Sequence, residues 1–135
     1  MLAGTGPSAA AAGGSFFVLV AGTNRGLWIA QDGVTGFTSP SPLSAGRTNS
    51  SPALVNAPSS GSLVGSARGT DNAGWFYRFR AGVNGWRSMG GRLTSGMGGT
   101  STSSNWYAYG LGTDNQVYEH AGTGNATGGW VKRTP

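Results

Sequence analysis

Five large rings stand at positions where a ring could do chemistry: Trp28, Trp75 and Tyr118, each six residues after a glycine, and Trp86 and Trp130, each directly after one. Short polar side chains and arginines accompany them, among them Asp71, Asn72, Asp114, Asn115, Arg47, Arg78 and Arg80. Aromatic faces beside fork-shaped donors and short acceptors are the equipment for holding a saccharide. A sugar ring presents a face of C–H bonds that packs on an aromatic ring, and a rim of hydroxyls that needs donors and acceptors. An arginine can reach two hydroxyls while stacking on a ring. The candidate ligand contacts are therefore Trp75, Trp86, Tyr118, Trp130, Trp28, Arg78 and Arg80. Asp71 and Asp114 are read first as turn caps, bonding backbone amides through their carboxylates, and only second as sugar contacts.

Other chemistries find little to work with. The acidic residues are Asp32, Asp71, Asp114 and Glu119, and the sole histidine is His120. Glycoside hydrolysis needs two carboxylates across one bond, whereas Asp71 and Asp114 occupy equivalent turns of successive units. No GxSxG elbow is present to build a nucleophile on. The chain has no cysteine, which removes disulfides and thiolate metal sites, and the remaining ligand types are not clustered. The expectation is a protein that is not an enzyme and uses no metal or cofactor. Its formal charge is +5, but the nine basic residues are scattered from Arg25 to Arg133 in runs of no more than two. That spread argues against nucleic acid as the partner, which calls for basic residues concentrated on one face. The opening "MLAGTGPSAAAAGGSFFVLVAG" has an apolar tone without a basic start, and no apolar run is long enough for a membrane span. The expected location is secreted, cell-surface or virion-associated, with no clear signal peptide.

The elements that must position these residues appear as a repeat. Taking the turn glycine as origin, the copies are "GTNRGLW" from Gly22, "GTDNAGW" from Gly69 and "GTDNQVY" from Gly112, spaced 47 and 43 residues apart. An apolar run precedes each glycine, at 16–21, 63–68 and 106–111, and a Gly-aromatic pair follows each copy: Gly36-Phe37, Gly85-Trp86, Gly129-Trp130. "PLSAG" at 42–46 is matched with "RLTSG" at 92–96. Residues 1–135 read as a single repeat domain, with repeat 1 about 1–46, repeat 2 about 47–92 and repeat 3 about 93–135. Each repeat has room for four short strands; in the second they fall near Pro52–Ala57, Ser62–Arg68, Gly74–Arg80 and Gly85–Met89. The "TDN" and "TNR" segments suit tight hairpins. Strand alternation puts Trp75, Tyr77 and Phe79 on one side of the third strand and Phe76, Arg78 and Arg80 on the other.

Four-stranded units of this length build β-propeller blades; three units in one chain also suit a monomeric β-trefoil, the alternative fold. The residues favour the propeller. The second repeat, with Gly69-Thr70-Asp71-Asn72, Trp75, Gly85-Trp86 and "MGGRLTS" from Met89 to Ser95, resembles the PLL-type bacterial lectins, fucose-binding β-propellers, and the likeness runs the length of the chain. The first copy departs from the pattern, with "GTNR", Phe37 in place of Trp and "SPSPLSA". The resemblance implies an all-β protein of three four-stranded blades per chain, closing as a six-bladed homodimer, since three blades do not close a ring. It further implies a non-catalytic, multivalent lectin for a saccharide or glycoconjugate, such as fucose or an O-methylated deoxyhexose. The sugar would lie between neighbouring blades, flanked by Trp75 and Trp86 from one and by Tyr118 and Trp130 from the next. The competing reading is a structural or adhesion module of a virion or cell-surface assembly, whose aromatics only join the blades and which binds no free sugar.

Overall fold

The computed structural model describes residues 1–57, 62–79, 85–123 and 126–133, with the side chains of 44, 45, 62, 126 and 127 left aside. Arg80, one of the candidate contacts, lies outside the described residues. Thirteen strands account for the regular structure, and no helix occurs among the described residues. They form three antiparallel meanders. The first runs β1 (Ser8–Ala12), β2 (Ser15–Ala21), β3 (Gly26–Gly33) and β5 (Ser41–Arg47), with the two-residue β4 (Gly36–Phe37) pairing the far end of β3. The second is β6 (Ala53–Ala57), β7 (Ser62–Arg68), β8 (Gly74–Phe79) and β9 (Trp86–Gly90). The third is β10 (Gly98–Ser101), β11 (Trp106–Leu111), β12 (Val117–Thr123) and β13 (Ala126–Lys132).

These are three consecutive blades of a β-propeller. Among the described residues no named strand pairs across units; the sheets stack face to face, joined by single bridges between neighbouring units, with β1, β6 and β10 side by side at one edge and β5, β9 and β13 at the other. A trefoil would pair strands from different units into a common barrel, and that alternative falls. The strands expected in the second repeat agree with β6 to β9 to within a residue or two.

Alternation along the strands generates two apolar layers. One, between blades 1 and 2, contains Leu19, Ala21, Leu27, Leu43, Leu54 and Leu63, with Tyr77, Phe79 and Trp86 packed against it. The other, between blades 2 and 3, contains Val55, Val64, Phe76, Met89, Leu93 and Trp106, flanked by Trp130. Strand β8 thus serves both layers: Tyr77 and Phe79 face blade 1, whereas Phe76 faces blade 3 against Trp106, ring centroids 5.1 Å apart. Leu19 and Trp106 are almost wholly buried, as layers packed on both sides require.

The phase of the repeat differs from the expected one at two places. The pairing of 42–46 with 92–96 does not hold. Isolated bridges join Thr48 to Gly69 and Leu93 to Gly112, so Gly46-Arg47-Thr48 is equivalent to Gly91-Arg92-Leu93. Each equivalent residue also donates its amide to the last carbonyl of a turn, Thr48 to Arg25 (2.9 Å) and Leu93 to Asn72 (2.8 Å). Phe37 is likewise not the counterpart of Trp86 and Trp130. Trp28 lies opposite Pro42, Trp75 opposite Ser88 and Tyr118 opposite Lys132; two residues earlier in the chain stand Pro40, just before β5, and Trp86 and Trp130, on β9 and β13. Phe37, in β4, sits further out, opposite Asp32 of β3, and is 57% exposed.

Candidate functional site

The turn glycine, the Asp or Asn two residues on and the ring six residues on form one local unit, made three times. In each copy the amide of the fourth residue bonds the glycine carbonyl: Arg25 to Gly22 (2.8 Å), Asn72 to Gly69 and Asn115 to Gly112 (3.0 Å each). That fourth residue takes positive φ, 65°, 64° and 62°, a conformation asparagine tolerates and arginine resists. The side chain of the third residue then accepts the amide two residues on, with Asn24 bonding Gly26 (2.9 Å), Asp71 bonding Ala73 and Asp114 bonding Gln116 (3.1 Å each). The Asp residues are turn caps. Their carboxylates also grip the rings: Trp75 donates its indole N–H to Asp71 at 3.1 Å from either oxygen, and Tyr118 donates its hydroxyl to Asp114 at 2.9 Å. The ring folds over the turn glycine so closely that a Cβ at Gly22, Gly69 or Gly112 would fall 2.6 to 2.8 Å from it or, at Gly69, 2.5 Å from the Asp71 carboxylate.

Electrostatics follow these contacts. Desolvation pushes the Asp114 carboxyl up, but the hydrogen bonds from Tyr118 and the Gln116 amide, with Lys132 3.9 Å away, outweigh it and leave its pKa below the usual carboxylate range. Tyr118 is raised by the same hydrogen bond. On the opposite face of blade 3, Glu119 is lowered by its bonds from Arg133 (2.8 Å) and Tyr109 (2.8 Å).

Beside two of the three turn units lies a cleft between blades, built from equivalent parts. The first, about 500 Å³, is lined by Gly69, Thr70, Asp71, Trp75 and Trp86 of blade 2 and by Leu27, Gly46 and Arg47 of blade 1. The second, about 280 Å³, is lined by Gly112, Thr113, Asp114, Tyr118 and Trp130 of blade 3 and by Gly91, Arg92 and Leu93 of blade 2. Each has one ring on the turn unit, a second ring on the outer strand, and a Gly-Arg pair from the preceding blade.

The outer-strand tryptophans are seated on glycines of the preceding blade. A Cβ at Gly46 would come 2.1 Å from Trp86 Nε1, and one at Gly91 2.7 Å from Trp130 Nε1. Trp130 reaches further in, lying 2.7 Å from where a Cβ on Gly74 would be and donating its indole N–H to the Gly90 carbonyl at 3.1 Å. At the position of Gly74 the first cleft has Leu27, which keeps Trp86 from settling as deep. Behind each tryptophan an edge-on ring supports it: Tyr77 behind Trp86 at 5.3 Å and His120 behind Trp130 at 5.0 Å. His120 is fully buried, stacks on Trp106 at 6.3 Å, and neither ring nitrogen has a hydrogen-bond partner among the described residues. Burial pushes its pKa down.

The expected contacts are therefore distributed as follows. Trp75 and Trp86 line the first cleft and Tyr118 and Trp130 the second. The four do not flank one common pocket; each pair lies over the preceding blade. Trp28 has the same turn unit, but on the face of blade 1 turned away from blade 2, and lines neither cleft. Arg78 is buried on the opposite side of β8 from Trp75, facing blade 3, and lines neither cleft. The arginines that do line them are Arg47, noted in the sequence as a polar candidate, and Arg92, which sequence reasoning missed. Its signal was the Gly-Arg dipeptide at 46–47 and 91–92, hidden by the wrong repeat phase.

No family model matches the chain, and no curated protein matches it either. Among solved structures, the chain is similar to a fucose lectin from Kordia zhangzhouensis in complex with methyl-fucoside, with a TM-score of 0.68 at 17% identity over 96% of this chain and 99% of that one. It is also similar to the SapL1 lectin in complex with alpha methyl fucoside, with a TM-score of 0.67 at 15% identity over 96% of this chain and 46% of that one. At these identities the likeness is one of fold: three blades that superpose on those of two lectins.

Proposed function

We propose that this protein is a non-catalytic lectin that binds a small saccharide, fucose or an O-methylated deoxyhexose, in equivalent clefts between blades, as in the PLL-type propeller lectins. The observation that carries the reading is the duplication of the cleft. Two pockets in unlike sequence contexts keep the same parts: a ring bonded to the turn, a ring on the outer strand and an arginine from the neighbouring blade. Packing alone asks for none of this, because a core ring has no need of an open cleft with a guanidinium beside it. The fold neighbours bound to methyl-fucoside support the sugar class.

The outer faces support closure of the ring by a second chain. The free side of blade 1 carries Ala11, Phe16, Val18, Val20, Trp28 and Ala30, paired across strands in register, with Phe16 59% exposed. It is the same side that blade 2 packs onto blade 1. The free side of blade 3 carries Tyr107, Tyr109, Leu111, Val117 and Val131. Two chains joined through these faces close six blades, and Trp28 then meets a preceding blade from the partner. A mass in solution of one chain, 13.6 kDa, would refute this closure.

The test of the lectin reading is a glycan array followed by calorimetry, with Trp86→Ala and Trp130→Ala alongside the natural chain. Each variant is expected to stay folded and to lose one site per chain. An array without signal for the intact protein, or variants that unfold, would leave the rings as cement between blades.

A further inference from the structure

The two clefts are alike in their walls and unlike in their surroundings. Next to the second cleft, and sharing Arg92, Leu93 and Thr113 with it, is a polar recess of about 230 Å³ completed by Arg68, Asn72 and Thr94. Two guanidinium groups line it and no carboxylate does. Arg68 spends one N–H on the Leu93 carbonyl at a long 3.4 Å, and its Nε is buried without a partner among the described residues. Neither Arg68 nor Arg92 enters an ion pair among the described residues; those pairs are Lys132 with Asp114 and Arg133 with Glu119. The nearest carboxylate of the second cleft, Asp114, is already held by Tyr118, the Gln116 amide and Lys132.

Beside the first cleft no arginine stands at the position of Arg68. Ala21 stands where the second has Arg68, and Arg25, in the place of Asn72, is tied to Asn49 at 2.6 Å. Two cations left unneutralised beside a sugar-sized cleft, one with a desolvated donor lacking an acceptor, are in deficit by a negative charge. Planar arginine forks satisfy that deficit best with the oxygens of an oxyanion.

We infer that the second cleft, between blades 2 and 3, takes a saccharide carrying an anionic substituent, a sulfate ester or a carboxylate, whose oxygens are held by Arg68 and Arg92, while the first cleft takes the neutral sugar. The inference rests on the saccharide reading of both clefts. It makes the chain a reader of two sugar types.

The experiment titrates the full chain by calorimetry with methyl fucoside, with fucose sulfated in turn at each free ring hydroxyl, and with methyl glucuronide, at low and moderate salt. At least one anionic sugar is expected to bind one site per chain about tenfold more tightly than methyl fucoside, with the advantage shrinking as salt rises. Arg68→Gln should erase that advantage and leave methyl fucoside binding unchanged. Arg92→Gln, on an exposed side chain, should collapse the same ratio and guards against a folding defect in the first variant. The sulfated and uronic probes distinguish the two oxyanions. Equal affinity for neutral and anionic sugars, or an advantage that survives both variants, would overturn the inference and leave the lectin reading standing. Absence of binding to every sugar would overturn both.

Discussion

Gly46→Ala tests how the first cleft is made. The new Cβ would stand 2.1 Å from Trp86 Nε1 and 2.4 Å from Cε2, against an ordinary contact of about 3.5–4 Å. The indole must therefore retreat by roughly 1.5 Å, leaving its edge-on contact with Tyr77, or the blades must part. The backbone at Gly46 is not in the left-handed region, so the collision alone supplies the effect. Overpacking of this kind costs about 1–3 kcal/mol, which for a domain of this size lowers the melting temperature by roughly 2–4 °C per kcal/mol. Calorimetric titration should show one saccharide site fewer per chain, because the displaced ring is a wall of the cleft. Gly98→Ala is the control: a Cβ there meets nothing within 4 Å and its φ is ordinary. If Gly46→Ala melts with Gly98→Ala and keeps every site, Trp86 is not seated on Gly46 and the account of the cleft is wrong.

Two further outcomes are expected. Lowering the pH should destabilise the chain through His120, whose folded pKa is depressed by burial: the unfolded state binds more protons below its ordinary value of 6.5, so stability is full above that pH and falls by at most about 1.4 kcal/mol per unit beneath it, until the folded pKa is reached. His120→Phe should flatten that slope in chemical denaturation measured across pH. Arg25→Asn should stabilise by up to about 1 kcal/mol, because it puts a tolerant residue at φ 65° at the cost of one exposed hydrogen bond to Asn49; a clear loss in denaturation midpoint would show that the Arg25–Asn49 bond, and not the backbone, governs this turn.

The fold was legible because it depends on local signals. Alternation in "GWFYRF" assigns Phe76 and Tyr77 to different layers without any knowledge of the neighbours, and Asp or Asn in the turn announces its own cap. The phase of the outer strands was not legible. It is set by pairing at long range, Thr48 with Gly69 and Leu93 with Gly112, whereas "PLSAG" and "RLTSG" look alike for reasons of composition. One warning was present: the second aromatic follows the turn aromatic by 9 residues in the first copy but by 11 and 12 in the others. That shift already set Phe37 apart from Trp86 and Trp130. Arg78 is a candidate by the chemistry of its fork alone; its face of β8 turns toward blade 3, and the arginines that line the clefts, Arg47 and Arg92, come from the preceding blade.

Each cleft borrows its floor from one blade and its walls from the next, and the two halves are constrained differently. The turn unit is fixed three times over: the glycine by the ring above it, the capping oxygen by the amide it accepts, the fourth residue by positive φ. Change there unfastens the ring. The floor and support positions carry no such lock, and it is there that the clefts differ, with Leu27 against Gly74, Ala21 against Arg68 and Tyr77 against His120. A chain of this design can alter what a cleft accepts without disturbing how the blade folds. Specificity should therefore be sought in the residues beside and behind the rings, since the turn that carries the first ring keeps the same hydrogen bonds in every blade.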